Sequence, residues 1–340
     1  MNDENFPWAV RTFEWLDSHS DARYDLSKSA FPFPNYLKLN LLNFTEYLNS
    51  GIDGEEELVN KLSKRYSVDP DNVIPTVGGT EAIYIAIMSL KSRRVLVHSP
   101  EYEPFFRMAQ LAGKEIFTRG IIAGALPANF DGAVAFTTPN NPTGVKVDPA
   151  QYSDFREIFI DETFAHYTLS DKLPPNDFNV TFAGTMSKLF GASETRVGWL
   201  ISSSANIERY KKFSDLTTNG TSAYSMYVSS LILGQESRIA EMNRSVIREN
   251  AKLVSEFLEE NNLSAKLSTE TAFCFPEYSM KIDSVSLCTR IFEDSGVLLV
   301  PGAYFGEEGR FRLCFTSDKP SLEQALTALS GSLSKLRHIY

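Results

Sequence analysis

Between residues 47 and 199, short apolar runs alternate with stretches of helical periodicity, and this alternation constrains the possible folds more than any other feature of the chain. Strands that alternate with helices in this way are typical of a parallel sheet whose two faces are both covered by helices. The sequence therefore predicts a three-layer α/β/α fold with a mainly parallel sheet. Its candidate strands are residues 95–97, 133–136, 158–160, 180–182 and 199–201.

The part of the chain beyond residue 236 predicts a second, smaller α+β domain. A helix is expected over residues 237–261, where apolar residues recur mostly at intervals of three and four and give the helix one core-facing side. We place the large domain at residues 46–236 and the small domain at residues 237–340, and we expect the N-terminal segment, residues 1–45, to pack with the small domain. The other expected elements are strands at residues 272–276, 297–300 and 311–315 and helices at Ser284–Ser295 and residues 321–336.

The most informative motif is Thr185-Met186-Ser187-Lys188, followed eight residues after the lysine by Arg196. A lysine amine can form a Schiff base with an aldehyde, whereas hydroxyl donors and a guanidinium fork suit a phosphate. Pyridoxal phosphate carries both groups and is therefore the candidate cofactor. Taken by itself, such a segment is more often a solvated surface, since Lys and Arg are mostly exposed in proteins, so its meaning depends on the neighbouring motifs.

A second motif, Val77-Gly78-Gly79-Thr80, is expected to end a strand and to turn into an apolar helix at residues 84–90. Glycines let the backbone approach an anion closely, and the free N–H groups at a helix start point towards it. Gly79 and Thr80 are therefore candidates for binding the phosphate. An ordinary strand-to-helix turn remains the alternative for this segment.

Three further motifs follow predicted strands and carry side chains that suit the ring of such a cofactor. Tyr102, after the strand at residues 95–97, could stack on a pyridine ring, since ligands collect at the carboxyl ends of strands in open α/β sheets. Asn141, in a turn between two prolines, could donate to a phenolic oxygen. Asp161 continues an apolar strand, and a protonated ring nitrogen would be the partner that a buried carboxylate requires. Simple packing, a bare turn and a solvated strand end are the respective alternatives.

Together and in this order, the motifs resemble those of the fold-type I pyridoxal phosphate enzymes, the aspartate aminotransferase superfamily, and within it the class I/II aminotransferase family. The resemblance covers nearly the whole chain. It includes Tyr47 before a helix at residues 55–66, and it includes Arg312 in a segment similar to the family's carboxylate-binding strand. It implies the PLP-dependent transferase-like fold and an enzyme of amino acid metabolism.

The resemblance also implies a role for each motif residue. Lys188 would form the Schiff base and then move a proton between Cα and the C4′ carbon of the cofactor, while Asp161 would pair with the ring nitrogen. Arg312 would bind the α-carboxylate of the substrate in a pocket that Ala30 also lines. The remaining cofactor contacts would come from Gly79, Thr80, Tyr102, Asn141, Thr185, Ser187 and Arg196, and Asn141 would also touch the substrate.

The implied reaction moves an amino group between an amino acid and a 2-oxo acid. It would take place in a homodimer, in which Tyr47 reaches the phosphate of the neighbouring subunit. One position departs from the family, because many relatives have a tyrosine where this chain has Phe164. Since some relatives with Phe there decarboxylate or eliminate, the alternative is a lyase, decarboxylase or cyclase acting on an amino acid in a specialised biosynthetic pathway. A binding or regulatory protein that keeps the scaffold without turnover is the rival from another class.

Composition argues against other classes of partner. The chain carries 43 acidic against 33 basic residues, a net charge of −10 without a basic run, which argues against nucleic acid and against an anionic membrane surface. No apolar stretch approaches the ~20 residues of a membrane span. The cysteines and histidines show no metal-ligand spacing, so no metal is expected. With no leader-like run in residues 1–10, a reducing cytoplasm is the expected location.

Overall fold

The computed structural model describes residues 9–34, 39–121, 130–165 and 180–339. Its helices are α1 (Arg11–Ser18), α2 (Phe44–Ser50), α3 (Gly54–Tyr66), α4 (Gly78–Met88), α5 (Glu103–Leu111), α6 (Ser204–Thr217), α7 (Ala223–Leu233), α8 (Glu236–Glu260), α9 (Ser284–Ser295) and α10 (Lys319–Arg337). Its strands are β1 (Tyr24–Asp25), β2 (Val73–Val77), β3 (Arg94–Ser99), β4 (Glu115–Gly120), β5 (Ala133–Thr137), β6 (Glu157–Asp161), β7 (Val180–Thr185), β8 (Val197–Ile201), β9 (Phe273–Cys274), β10 (Val297–Leu298), β11 (Val300–Pro301) and β12 (Phe311–Cys314).

The central sheet has seven strands in the order β2-β8-β7-β6-β5-β3-β4. The strands from β7 to β4 run parallel, whereas β8 runs antiparallel to both of its neighbours. A parallel return would need a crossover of roughly a dozen residues or more, usually with a helix. Only residues 186–196 separate β7 from β8, and they form a tight loop that reverses the chain. The prediction of a mainly parallel sheet is confirmed, with one strand reversed by its short connection.

Both faces of the sheet are covered by helices. Along β5, Val134 and Phe136 belong to the core shared with α3 and α7, whereas Ala133 and Ala135 belong to the core shared with α4 and α5. Successive side chains of a strand point to opposite faces, so an uninterrupted apolar run is what a strand buried on both sides requires. The three-layer α/β/α prediction is thereby confirmed.

Helix α4 begins earlier than the sequence predicts. Gly78 has a φ of 70° and is already the first helical residue, so the chain passes from β2 into α4 without a separate turn. Glycine adopts this left-handed backbone conformation at little cost because it has no Cβ. The start of α4 is therefore held directly at the carboxyl end of β2.

The C-terminal part of the chain forms a smaller sheet packed with helices. Strands β11, β12 and β9 are antiparallel neighbours, and β1 from the N-terminal segment pairs in parallel with β10. The predicted helices at residues 237–261 and 321–336 correspond to α8 and α10. The predicted strand at residues 297–300 is divided at Leu299 into β10 and β11. The domain boundaries themselves stay a prediction.

Helix α8 has the one-sided pattern that its sequence predicts. It buries Ile239, Ile247 and Val254 and leaves its charged residues at the surface, so it packs one face on the core. Across the described segments, no helix has both the length and the hydrophobicity that crossing a membrane would require.

Candidate active site

A cavity of about 460 Å³ opens where the parallel strands β3, β5, β6 and β7 reach their carboxyl ends. Each of these strands delivers a predicted site residue at its last position or a few residues beyond it. Every predicted site residue except Tyr47 lines the cavity: Ala30, Gly79, Thr80, Tyr102, Asn141, Asp161, Thr185, Ser187, Lys188, Arg196 and Arg312.

The loop between β7 and β8 carries both Lys188 and Arg196, and it is tied down at several points. Thr185 Oγ1 donates to the carbonyl of Val197 at 3.1 Å, which joins the two ends of the loop. The carbonyl of Lys188 accepts from the N–H of Phe31 at 3.0 Å, which holds the N-terminal segment against the lysine. Because β8 runs antiparallel to β7, the loop returns to the same edge of the sheet, and lysine and arginine face one cavity.

Helix α4 presents its N-terminus to this cavity beside Arg196. A Cβ on Gly198 would lie 2.5 Å from the carbonyl carbon of Gly78, so β8 approaches the helix start at a distance that only glycine permits. A Cβ on Gly78 would lie 3.2 Å from Nη2 of Arg196. Free N–H groups at a helix start and a guanidinium beside them attract an anion. With the hydroxyls of Thr80 and Ser187 at the same cavity, this end suits a phosphate.

Asp161 is the last residue of β6 and is 5% exposed. Its Oδ1 accepts from the N–H of Thr163 at 3.0 Å. Burial raises the pKa of Asp161 to about 6, while hydrogen bonds from Thr163 and the charge of Lys188 act in the opposite direction. Among the described residues, no cationic side chain lies within 4.0 Å of this carboxylate. A positively charged group of a ligand would therefore stabilise its ionised form.

Burial also changes the acidity of Lys188. It lowers the pKa of the amine to about 8, and the positive charges of Arg312 and Arg196 add to the shift, while Cys314 and Asp161 oppose it. A larger share of the amine is therefore uncharged near neutral pH than for an exposed lysine. An uncharged amine is the form that attacks an aldehyde carbon.

The guanidinium of Arg312 is buried, and one of its nitrogens has no hydrogen-bond acceptor. Its Nη1 donates to Oδ1 of Asn141 at 2.9 Å and its Nη2 donates to the carbonyl of Ser27 at 2.8 Å. Its Nε is buried without a hydrogen-bond acceptor, and no carboxylate of the described residues pairs with it. Because guanidinium can only donate, Asn141 must accept with Oδ1, which leaves its Nδ2 as a donor. A buried cation in this state suits the carboxylate of a ligand.

Tyr102 is held by a residue that sequence reasoning missed. Glu101 is fully buried, and it accepts from the N–H of Tyr102 at 2.9 Å and from the N–H and hydroxyl of Thr137 at 2.9 and 2.7 Å. A third neighbour, Asn140, donates to it at 3.3 Å. Burial raises the pKa of Glu101, and the hydrogen bonds from Thr137 and Tyr102 counteract that shift. A glutamate beside a strand end was the available signal, but its partners come from distant segments.

Helix α1 forms a wall of the cavity that no motif indicated. Thr12, Phe13 and Leu16 of α1 line the cavity, together with Ile83 of α4 and Phe164, which follows β6. Phe164 packs edge-on against Phe273 with ring centroids 4.9 Å apart. Helix α1 has no sequence feature that ties it to the distant motifs, so only the tertiary structure reveals its contribution.

Tyr47 lies away from the cavity of its own chain. Its hydroxyl accepts from the N–H of Gly54 at 3.2 Å, and its ring stacks on Tyr227 with centroids 5.0 Å apart. The predicted contact of Tyr47 with a neighbouring subunit involves a second chain, and it stays a prediction.

The chain matches a protein family model, and it is similar to several known proteins in sequence and in fold. The family model described as "Aminotransferase class I and II" matches residues 41–329. Capreomycidine synthase of Streptomyces vinaceus is 25% identical over 309 residues, covering 82% of this chain and 79% of that protein. Aspartate aminotransferase of Thermotoga maritima is 25% identical over 314 residues, covering 82% and 80%. The crystal structure of a PLP-dependent aminotransferase from Streptococcus suis superposes with a TM-score of 0.81 at 20% identity, covering 99% of each chain.

Proposed function

Because this chain belongs to the class I and II aminotransferase family, whose enzymes depend on pyridoxal phosphate, we propose that it transfers an amino group between an amino acid and a 2-oxo acid. One observation carries the proposal. Lys188, Asp161 and Arg312 all line a single cavity of about 460 Å³, so an amine, an acid and a buried cation meet there.

The residues of the cavity fit this cofactor. The N-terminus of α4, Ser187 and Arg196 would hold its phosphate, and Tyr102 would stack on its ring. Lys188 would hold its aldehyde carbon. Asn141 would donate from Nδ2 to the phenolic oxygen, because its Oδ1 is already used by Arg312. When bound, pyridoxal phosphate supplies an electron sink for the bonds of the substrate's Cα.

Each proposed catalytic residue has a task that its environment supports. Asp161 would keep the proton on the ring nitrogen, because a buried carboxylate and a buried cation stabilise each other. Lys188 would take the proton from Cα and return it at C4′, and its lowered pKa of about 8 suits both tasks. Arg312 binds the carboxylate of the amino acid and so orients Cα. Asn141 keeps the guanidinium from turning.

The test is a panel of amino acids, each paired with a 2-oxo acid, incubated with the purified protein and pyridoxal phosphate. Appearance of a new amino acid, measured by mass spectrometry, supports the proposal. A protein that stays colourless with the cofactor and gains no mass after borohydride reduction would refute it.

A second candidate is a pyridoxal phosphate-dependent lyase, decarboxylase or cyclase acting on an amino acid in a specialised biosynthetic pathway. Phe164 favours it, since this position lines the cavity without the hydroxyl that many relatives carry there. The similarity to a capreomycidine synthase points in the same direction. In the same panel, carbon dioxide, ammonia with pyruvate, or a ring product without a new amino acid would favour this candidate.

We further propose a homodimer. Leu41, Phe44 and Leu48, which are 45%, 57% and 64% exposed, flank Tyr47 in the sequence of the segment that would reach the neighbouring subunit. Exposed apolar residues grouped in this way favour contact with another chain. Analytical ultracentrifugation measures the mass in solution, and a monomer at micromolar concentration would contradict the proposal. A cytoplasmic location is likewise proposed.

A further inference from the structure

We propose that Glu101 is a positioning residue, which holds Tyr102 and Asn141 in place for the ring of pyridoxal phosphate. The inference rests on the proposed function, because that function assigns the contacts with the ring to these two residues. It goes further by giving a task to a fully buried carboxylate, which would act on the ring only through its neighbours.

The carboxylate of Glu101 is bound by four donors. Its Oε1 accepts from the N–H of Tyr102 at 2.9 Å and from the hydroxyl of Thr137 at 2.7 Å. Its Oε2 accepts from the N–H of Thr137 at 2.9 Å and from Nδ2 of Asn140 at 3.3 Å. Each oxygen therefore has two donors, which is the number that its lone pairs accept. Such a fully bonded buried group holds its partners in one arrangement.

These donors come from the ends of two neighbouring strands. Glu101 and Tyr102 follow β3, whereas Thr137 is the last residue of β5, which pairs with β3. On its other side β5 pairs with β6, and there Thr137 lies opposite Asp161. Glu101 thus joins the segment that carries Tyr102 to the strand beside Asp161. All of these groups belong to one chain and to its described residues, so the arrangement does not require a neighbouring subunit.

Asn140 connects Glu101 with Asn141. The Nδ2 atom of Asn140 donates to the carbonyl of Pro100 at 3.1 Å as well as to Glu101. Its Oδ1 accepts from the hydroxyl of Thr143 at 2.7 Å, so both ends of this buried amide are bonded. Asn140 thereby fixes the turn in which Asn141 is the next residue. A change at Glu101 is expected to release this turn and to displace Asn141.

The backbone of Glu101 provides a second connection to the same group. Its N–H donates to the carbonyl of Phe305 at 3.1 Å. The guanidinium of Arg312 lies over the ring of Phe305, with Cζ 5.2 Å from the ring centroid, and Arg312 donates to Asn141 at 2.9 Å. The contacts therefore form a closed loop, which leaves Glu101 through Asn140 and returns to it through Phe305. Each member of such a loop is held from two sides.

A second buried glutamate of this segment, Glu103, has a different task. It accepts from the N–H and from the hydroxyl of Thr12, each at 2.9 Å, and from Nε of Arg11 at 3.0 Å. It thereby anchors α1, whose own N-cap side chain makes no such bond. The two glutamates therefore support separate parts of the cavity. Glu103 holds the α1 wall, and Glu101 holds the residues proposed to contact the ring.

The test compares two ligands of the full-length, cofactor-free protein, of which only one has a ring. Isothermal titration measures the affinity for pyridoxine phosphate, and competition against it measures the affinity for inorganic phosphate. Glu101→Gln places an amide NH2 against the donors of Tyr102, Thr137 and Asn140. It should weaken the binding of pyridoxine phosphate about tenfold and leave that of inorganic phosphate unchanged. The titrations are run at about pH 9, because burial raises the pKa of Glu101 to about 8 and only the ionised carboxylate accepts every donor.

Glu157→Gln is the matched control. Glu157 accepts from the N–H of Lys91 at 3.0 Å and from the N–H and hydroxyl of Ser92, each at 2.8 Å. It begins β6 and so lies at the end of the strand opposite to the cavity. The control variant should lose stability but keep both affinities. Equal changes in the two variants, or a loss of both ligands in Glu101→Gln, would show that Glu101 serves only stability and would overturn the inference.

A milder pair of variants decides the question if Glu101→Gln does not fold. Thr137→Val removes one of the four donors of Glu101 and keeps the backbone N–H. We expect it to weaken the binding of pyridoxine phosphate about threefold and to leave that of inorganic phosphate unchanged. Ser92→Ala, which removes the corresponding hydroxyl at Glu157, should change neither affinity. An unchanged affinity of Thr137→Val for pyridoxine phosphate would then overturn the inference.

The result separates failure of the inference from failure of the proposed function. Borohydride reduction of the unchanged protein, followed by mass measurement, reports whether Lys188 holds pyridoxal phosphate covalently. If it does, and Glu101→Gln binds pyridoxine phosphate as tightly as the unchanged protein, only the inference is refuted. If the unchanged protein binds neither pyridoxal phosphate nor pyridoxine phosphate, the proposed function is refuted, and the inference falls with it.

Discussion

The Nη1 atom of Arg312 lies 2.9 Å from Oδ1 of Asn141, and this hydrogen bond joins residues that are 171 positions apart in the chain. It connects β12 of the small sheet with the turn that follows β5 of the central sheet. The bond has two consequences. It fixes the plane of the guanidinium that would bind the substrate, and it orients the amide of Asn141 so that Nδ2 remains as the donor that the proposed function assigns to the cofactor.

The first prediction concerns this guanidinium. Arg312→Lys removes the fork that would hold a carboxylate and leaves Asn141 Oδ1 without its donor. The value of kcat/KM for the amino acid should therefore fall roughly thirtyfold, which corresponds to a loss of about 2 kcal/mol of transition-state stabilisation. Steady-state kinetics at several amino acid concentrations measure this loss. Arg310→Lys is the matched control, because Arg310 pairs with Glu277 and Glu307 outside the cavity. Equal losses in the two variants would remove Arg312 from the carboxylate site.

The second prediction concerns the covalent bond to the cofactor. Lys188→Ala should fold and bind pyridoxal phosphate without becoming reducible by borohydride, since the amine is gone. Lys28→Ala, which changes the other lysine at the cavity, should retain the reducible link. Peptide mass spectrometry after reduction identifies the modified residue. Modification of a different lysine in the unchanged protein would contradict the assignment of Lys188.

The third prediction separates holding the cofactor from using it. Asp161→Asn should keep the link to Lys188 but lower kcat about a hundredfold or more, because the ring nitrogen loses its charged partner when negative charge develops. Asp131→Asn, at a surface ion pair with Arg156, should leave kcat unchanged. Rapid-mixing and steady-state kinetics measure the reaction rate and kcat of the two variants. An unaltered kcat in the Asp161 variant would mean that this carboxylate has another role.

The fourth prediction follows from the lowered pKa of Lys188. With a pKa of about 8 rather than the ordinary value of 10.5, the uncharged amine grows about tenfold per pH unit below pH 8 and levels off above it. The rate at which cofactor-free protein captures pyridoxal phosphate should follow the same curve. Pyridoxine phosphate, which has no aldehyde, should bind without this inflection. A midpoint near 10 would show that the lysine is not influenced by burial in the way described.

The fifth prediction concerns stability. Four donors, from Tyr102, Thr137 and Asn140, face the two carboxylate oxygens of Glu101. Glu101→Gln places an amide NH2 against some of them, which should lower the free energy of unfolding by about 1–3 kcal/mol. Urea denaturation followed by circular dichroism measures the change. Glu115→Gln, at a half-exposed ion pair with Arg94, should cost much less. Similar costs would mean that Glu101 is not a structural acceptor.

The sequence by itself was sufficient to predict the strands and loop motifs, because these depend on residues that are close together along the chain. The apolar runs at β3, β5 and β6 are buried on both faces, and short runs of that kind, alternating with helical stretches, are typical of the central strands of an α/β fold. Lys188 and Arg196 lie in one loop, Asp161 ends one strand and Asn141 follows another, so parallel pairing places them at the same edge of the sheet. The resemblance to a family then suggested their chemistry.

Only the tertiary structure decided which distant residues meet. The antiparallel pairing of β8 with β2, the bond between Arg312 and Asn141, and the anchoring of α1 by Glu103 join segments far apart along the chain. Local periodicity carries no record of such contacts, because many pairings bury the same apolar area and satisfy the same polar groups. The α1 wall of the cavity is therefore decided by the packed molecule, whereas the motifs that we propose for cofactor binding can be recognised in the linear chain.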